Sequence, residues 1–265
     1  DFDVAGVPMG GEGKASGPVA ANVRVVGSHA VDRIELIHNN VVAATYCHAG
    51  TWERRTDAKR WKFRFVAGWG PCSRYGFRMK DTWSWDCRME LAGGQLRGVE
   101  KCVTLPGQKV STVEPHRCTW HLETWPRDPE AAYGSFQGLV FEIAGGSETR
   151  LHIQAEGQTL GISLGELAKN PVLCPLIEET RKRGRDDKKV DPAVVENPDI
   201  YFANARKIKL HRAVPEAAWK VDHTFGDLVL EPGPNWFYVR VTQTNGQLAW
   251  SSPVWIDAPA TGPKA

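Results

Sequence analysis

Apolar residues recur at every second position along much of this chain, and that repetition constrains the fold more than any other feature. Trp61, Phe63 and Phe65 alternate with Lys62 and Arg64, and Trp83, Trp85, Cys87, Met89 and Leu91 alternate with Ser84, Asp86, Arg88 and Glu90. Further stripes are Cys118, Trp120 and Leu122; Leu139, Phe141 and Ile143; Leu151 and Ile153; and Ile208 and Leu210. Successive side chains on a strand point to opposite faces, so each stripe marks one buried face and one wet face. Repeated this often, the pattern predicts an all-β chain with minor helix, built from antiparallel sheets as a sandwich or barrel. The best helix candidates are Leu164–Lys169 and residues 176–183, where the period is weak.

Two segments read as hairpins. In "WFYVRVTQTNGQLAWSSPVWID", Asn245-Gly246 joins two β-rich runs, and a type I′ turn at this pair fixes the register. Val241 then faces Trp250, Phe237 faces Val254, and Trp236 faces Trp255, which gathers Phe237, Val239, Val241, Trp250 and Val254 on one face. Ser251 is expected to face out and Ser252 in. Pro253 cannot donate to a ladder, so its strand is expected to be an edge or to bulge there. In "RIELIHNNVVAATY", Asn39-Asn40 marks the second turn, with Ile34 and Leu36 on one face.

The opening residues 1–20 are rich in Gly, Pro and Ala and read as a linker or lead-in. Residues 21–51 and 232–258 look like two parts of one immunoglobulin-like sandwich, with 52–231 inserted as a larger β-rich sandwich and 259–265 as a tail. Loop-closure cost grows slowly with length, so such an insertion is thermodynamically tolerable. The charged stretch 181–199 reads as an exposed loop, because Asp186 and Asp187 interrupt its basic residues.

A formal charge of +2 is too small to argue for nucleic acid or a membrane surface, and no apolar run reaches the roughly 20 residues of a spanning helix. The chain opens Asp-Phe-Asp, without initiator Met or signal peptide, and reads as a fragment or processed product. Its six cysteines match no metal-ligand spacing, and Cys87 reads as a small core hydrophobe.

No reaction centre is visible. His116, Cys118 and His121 tempt as a metal set, yet residue 121 faces opposite to 116 and 118, and a tetrahedral site needs convergent ligands. Ser251 and Ser252 lack the strand-to-helix elbow of a serine nucleophile. The pairs Asp86 with Glu90, and Glu123 with Glu142, are expected of any half-solvated sheet. The eleven tryptophans are the compositional excess. Trp61, Trp85, Trp120 and Trp250 fall on predicted core faces, which leaves Trp52, Trp69 and Trp125 as candidates for an exposed, ligand-stacking platform.

The segments "RIELIHNN", preceded by "GVPMGGE", then "KIKLHRAVPEAAW" and the closing hairpin together carry a resemblance. The matching residues are Tyr238, Arg240, Val241, Thr242 and Gln243, then Ala249 to Pro253; the central 150 or so residues match only loosely. The chain resembles the C-terminal region of large bacterial proteins related to the polymerase and histidinol phosphatase (PHP) superfamily. The resemblance implies a β-sandwich tail following a metal-dependent hydrolase domain whose ligands include His-x-His pairs. This sequence contains no His-x-His, so no catalytic residue and no metal or other cofactor is carried over. The chain is therefore expected to be a noncatalytic accessory region whose partner is an N-terminal catalytic domain of the same protein. The alternative is a carbohydrate- or ligand-binding β-sandwich module. Third comes a self-contained hydrolase, which requires titratable groups that converge in a concave pocket.

Overall fold

The computed structural model describes residues 1–48, 50, 52, 57–68, 82–103, 107–125, 136–186, 193, 196 and 206–259. The strands before the insertion are β1 (Phe2–Val4), β2 (Val7–Pro8), β3 (Glu12–Lys14), β4 (Val19–Val26), β5 (Val31–His38) and β6 (Val41–Cys47). Next come β7 (Arg60–Gly68), β8 (Trp83–Cys102), β9 (Lys109–Glu114), β10 (Arg117–Thr124), β11 (Phe136–Ala155) and β12 (Gln158–Ser163). Helix α1 (Leu164–Lys169), β13 (Val172–Pro175), α2 (Ile177–Asp186), β14 (Lys207–Leu210) and β15 (Val214–Pro215) follow. The chain closes with a helical turn at Glu216–Trp219, then β16 (Lys220–Leu228), β17 (Gly233–Gln243), β18 (Leu248–Trp250) and β19 (Val254–Ala258). The chain is mostly β, with sheets packed face to face, as the alternation predicts. Among the described residues no helix is long and apolar enough to cross a membrane.

The chain divides into two compact units, residues 1–55 with 215–265, and residues 56–214. The boundaries differ from those expected at 51/52 and 231/232, because β16 pairs with β4 and so belongs to the first unit. Nor are residues 1–20 a lead-in. Ala5 and Gly6, both at positive φ, turn β1 into β2, and Phe2 and Val4 are buried. β3 pairs in parallel with β19. These strands are too short, and too interrupted by Gly and Pro, for alternation to reveal them. Residues 181–186, expected in a loop, are the end of α2. The expected tail contributes Pro259, and its residues 260–265 lie outside the described ones.

The first unit stacks a four-stranded sheet (β16-β4-β1-β2) on a five-strand path (β3-β19-β17-β5-β6), with β18 paired to β17. Phe2, Val4, Val23, Phe225, Ile34, Leu36 and Phe237 are among the residues of its core. Asn39 and Asn40 take φ of +47° and +68°, the two positive angles a type I′ turn requires, and Ile34 and Leu36 are fully buried.

The closing hairpin departs from its predicted register. The Gln243 N–H donates to the Gln247 carbonyl, and the Gly246 N–H donates to the Gln243 carbonyl, both at 2.9 Å. Gly246 takes φ +82°, while Asn245 stays out of the left-handed region. The loop is thus the three residues Thr244, Asn245 and Gly246. Val241 pairs with Ala249, and Trp250 pairs with Arg240. The chain then leaves the ladder at residues 251–253, next to Pro253, and the register resets. Phe237 faces Val254 and Trp236 faces Trp255, as predicted. Between the two registers the Ser251 hydroxyl accepts from the Val239 N–H (3.0 Å), while Ser252 is exposed, the reverse of the expected facing.

In the second unit the strand order is β13-β14-β7-β11-β8-β10-β9, with β12 added to β11. β8 and β11 are each 20 residues long, and each carries a Gly-Gly pair near its middle. Gly94 lies opposite Gly145, and residues 146–149 are left out of the ladder before Arg150 resumes it opposite Ala92. A Cβ on Gly94 would lie 2.6 Å from Thr149 Cγ2, and one on Gly145 would collide with Thr149 Oγ1. The two long strands therefore bend where the Thr149 side chain occupies the space that a Cβ on either glycine would need. The halves of the sheet on either side of the bend enclose one core, with Phe63, Phe65, Phe141 and Leu96 joined by Trp85, Met89, Trp120 and Ile153. Ser163 caps α1 through a reciprocal pair of bonds with Glu166.

Candidate functional site

The predicted aromatic platform is not where the sequence suggested. Trp52 is buried against the His48 ring, with centroids 5.0 Å apart, so it offers no stacking surface. Trp125 is half-buried, and Trp69 lies outside the described residues. Trp61, Trp85 and Trp120 are in the core, but Trp250, also assigned to the core, is 59% exposed. The displaced register explains this, because a shift of one residue turns a strand side chain to the opposite face.

Trp250 instead joins an aromatic surface on the outer face of the sheet built on β17. Trp236, Tyr238 and Arg240 alternate outward along β17, opposite to the buried Phe237, Val239 and Val241. Cross-strand partners share a face, so Trp255 sits beside Trp236, and Trp250 beside Arg240. Leu248, Trp250 and Trp255 are all exposed. At the middle of this face Arg240 grips Glu35 with both arms, Nε to Oε2 at 2.7 Å and Nη2 to Oε1 at 3.0 Å. The Arg240 hydrogen bonds hold the Glu35 carboxyl below its usual range, so the pair stays charged. The N-terminal segment is tied to the same sheet margin. Gly10 N–H donates to the Pro253 carbonyl, and Trp255 N–H donates to the Gly11 carbonyl.

Chemistry-bearing side chains are distributed as follows. His116 Nδ1 bonds the Gly94 carbonyl at 2.8 Å, Cys118 is in the core, and His121 Nδ1 bonds Asp86 at 2.7 Å. Among the described residues no group of three or more His, Cys, Asp or Glu is placed to hold a metal ion. The carboxylates considered in pairs each meet a basic side chain, as on any half-solvated sheet, with Asp86 bonded to His121. Glu90 pairs with Arg88 and Glu142 with Arg60, while Glu123 lies 3.7 Å from His121. The described cysteines 47, 87, 102, 118 and 174 are free thiols. Burial pushes the Cys87 thiol well up, consistent with its role as a core residue.

Sequence reasoning missed Arg206. Its guanidinium is almost fully buried over the rings of Trp83 and Trp85, 2.8 Å from Glu179 and 3.8 Å from Glu156. Burial raises the Glu156 carboxyl and the Arg206 charge opposes that rise. The basic run around it offered no signal, because its partners come from three separate elements.

No family model, no curated protein and no solved structure matches this chain.

Proposed function

We propose that this chain is a noncatalytic accessory β-sandwich region, which packs through the outer aromatic face of its first unit against a metal-dependent hydrolase domain of the same protein. The observation that carries this reading is the run of Trp236, Tyr238, Trp250 and Trp255 on one solvent-facing sheet surface. Contiguous exposed aromatics mark interaction surfaces on soluble proteins, and Trp, Tyr and Arg are the residue types that dominate interface energetics. The Arg240–Glu35 pair supplies a fixed polar contact inside that surface. Two sheets closing on one core support an immunoglobulin-like description of the first unit, and the resemblance to PHP-related proteins supplies the class of partner.

The test is to read the coding frame upstream of Asp1, express the longer product, and compare its amide hydrogen exchange with that of this chain. The expected result is an upstream domain bearing His-x-His pairs, with exchange at residues 248–257 slowed by roughly tenfold or more. A secretion signal directly before Asp1, or unchanged exchange at these residues, would refute the proposal.

A further inference from the structure

The second unit carries a cleft of about 600 Å³ on the outer side of its sheet, within the usual range for small-ligand sites. Its floor is a row of polar side chains set by strand register. His121 pairs with Asp86, Thr119 with Arg88, Arg88 with Gln154, and Gln154 with Thr159, so β10 and β8 each contribute two polar positions and β11 and β12 one each. The same strands put Trp85, Met89, Leu122 and Ile153 on the opposite, core-facing side. Ser111 reaches the row from β9 through a bulge, since Thr112 pairs with Thr119 and Val110 with Trp120, leaving Ser111 as the extra residue. Bulges of this kind re-aim a side chain and are frequent next to active sites. Glu156 completes one end of the cleft. It lies in a two-residue turn with Gly157, both at positive φ (+49° and +72°), a conformation uncommon for Glu.

The chemistry of the lining selects the ligand. The charged groups are already matched: Asp86 by His121, Arg88 by Glu90, and Glu156 by the buried Arg206. Among the described residues no lysine lines the cleft and the one lining guanidinium, Arg88, is engaged, so there a phosphate would meet two carboxylates and no spare cation. What remains is hydrogen-bonding capacity. A carboxylate that accepts one bond keeps further lone pairs, the two glutamine carboxamides both donate and accept, and the three hydroxyls do the same. The side chains of Trp120 and Ala155, which also border the cleft, are buried in the core, so the accessible lining is polar. Donors and acceptors that alternate along this row, with charge compensated, match a neutral ligand bearing vicinal hydroxyls.

We infer that this cleft is a binding site for a neutral saccharide. It is separate from the aromatic face of the first unit, and its failure would leave the docking proposal standing.

The experiment is a titration of the whole ¹⁵N-labelled chain, followed by ¹H–¹⁵N shift changes, with three neutral probes: cellotriose, maltotriose and N,N′-diacetylchitobiose. Inorganic phosphate and spermidine serve as charged probes. At least one saccharide is expected to shift the amides of Thr119, His121, Gln154 and Thr159, with a dissociation constant at or below about 1 mM. Asp86→Ala and Gln154→Ala, both at exposed side chains, are expected to weaken that binding roughly tenfold each, with melting temperatures that show the fold intact. Four results would each overturn the inference. They are no shift with any of the three saccharides up to about 10 mM, shifts confined to Trp236, Trp250 and Trp255, cleft binding by phosphate or spermidine alone, and unchanged affinity in both variants.

Discussion

Asn235 shows how one polar residue can organise the closing strands. Its side chain is fully buried on the core side of β17, in step with Phe237, Val239 and Val241. Its carboxamide nitrogen donates to the carbonyls of Glu231 (2.9 Å), Gly233 (2.9 Å) and Ile256 (3.3 Å). Its oxygen accepts from the Glu231 N–H (2.8 Å) and meets His38 Nε2 at 2.7 Å. Removing the carboxamide strands several of these groups in a dry environment, and each unsatisfied buried group costs about 1–3 kcal/mol. Asn235→Leu keeps the volume and is expected to lower unfolding free energy by about 3 kcal/mol or more. The signature is a lower urea midpoint with an unchanged denaturant slope; a midpoint within error of the parent would contradict it. The parity of residue 235 with the buried alternation was legible in the sequence. Its partners were not, because His38 and Ile256 reach it through pairings distant along the chain.

At the scale of elements, the stripes were readable and the bends were not. Trp61, Phe63, Phe65, Trp85, Met89, Leu122, Phe141 and Ile153 are all buried where period-two alternation puts them. Leu164–Lys169 is helical as expected, and its capping box of Ser163 and Glu166 is a further signal that the weak period did not supply. Trp250 was misassigned because Asn-Gly can sit in a two-residue or a three-residue loop, and the choice reverses the facing of the returning strand. Asn39-Asn40, which does take the two-residue form, gave a correct turn. The fold-over of β8 and β11 was hidden for a related reason: "AGGQL" and "AGGSE" look like loops, whereas the glycines let two continuous strands bend at close approach. Gly94→Val tests this, since its added atoms would press on Thr149 and the Ala144 carbonyl. The expected loss is in the upper part of the usual range for overpacking, about 1–3 kcal/mol. Gly98→Ala, on the same strand, meets only Glu142 Cβ at 3.9 Å and should change stability by less than about 0.5 kcal/mol. Equal effects in thermal unfolding would mean that the close approach at Gly94 does not matter.

For the whole molecule, the question is whether the inserted unit is an autonomous domain. The pairings of β7 through β14 described above all fall within residues 56–214, and so does the core built on Trp61, Trp85 and Phe141. A core and a sheet that close on themselves are what a chain segment needs to fold alone. Every described residue that lines the cleft lies in this segment as well, whereas the aromatic face belongs to the first unit. The two proposed activities should therefore separate physically. Expressed alone, residues 56–214 are expected to unfold in a single cooperative urea transition with dispersed amide resonances. If the cleft binds a saccharide in the whole chain, the fragment should bind it with an affinity within about threefold. It should gain nothing from the hydrolase partner, because it lacks Trp250 and Trp255. A fragment that binds a hydrophobic dye and melts without cooperativity would show instead that the insertion depends on the unit around it, and that the chain acts as one folding unit despite its two cores.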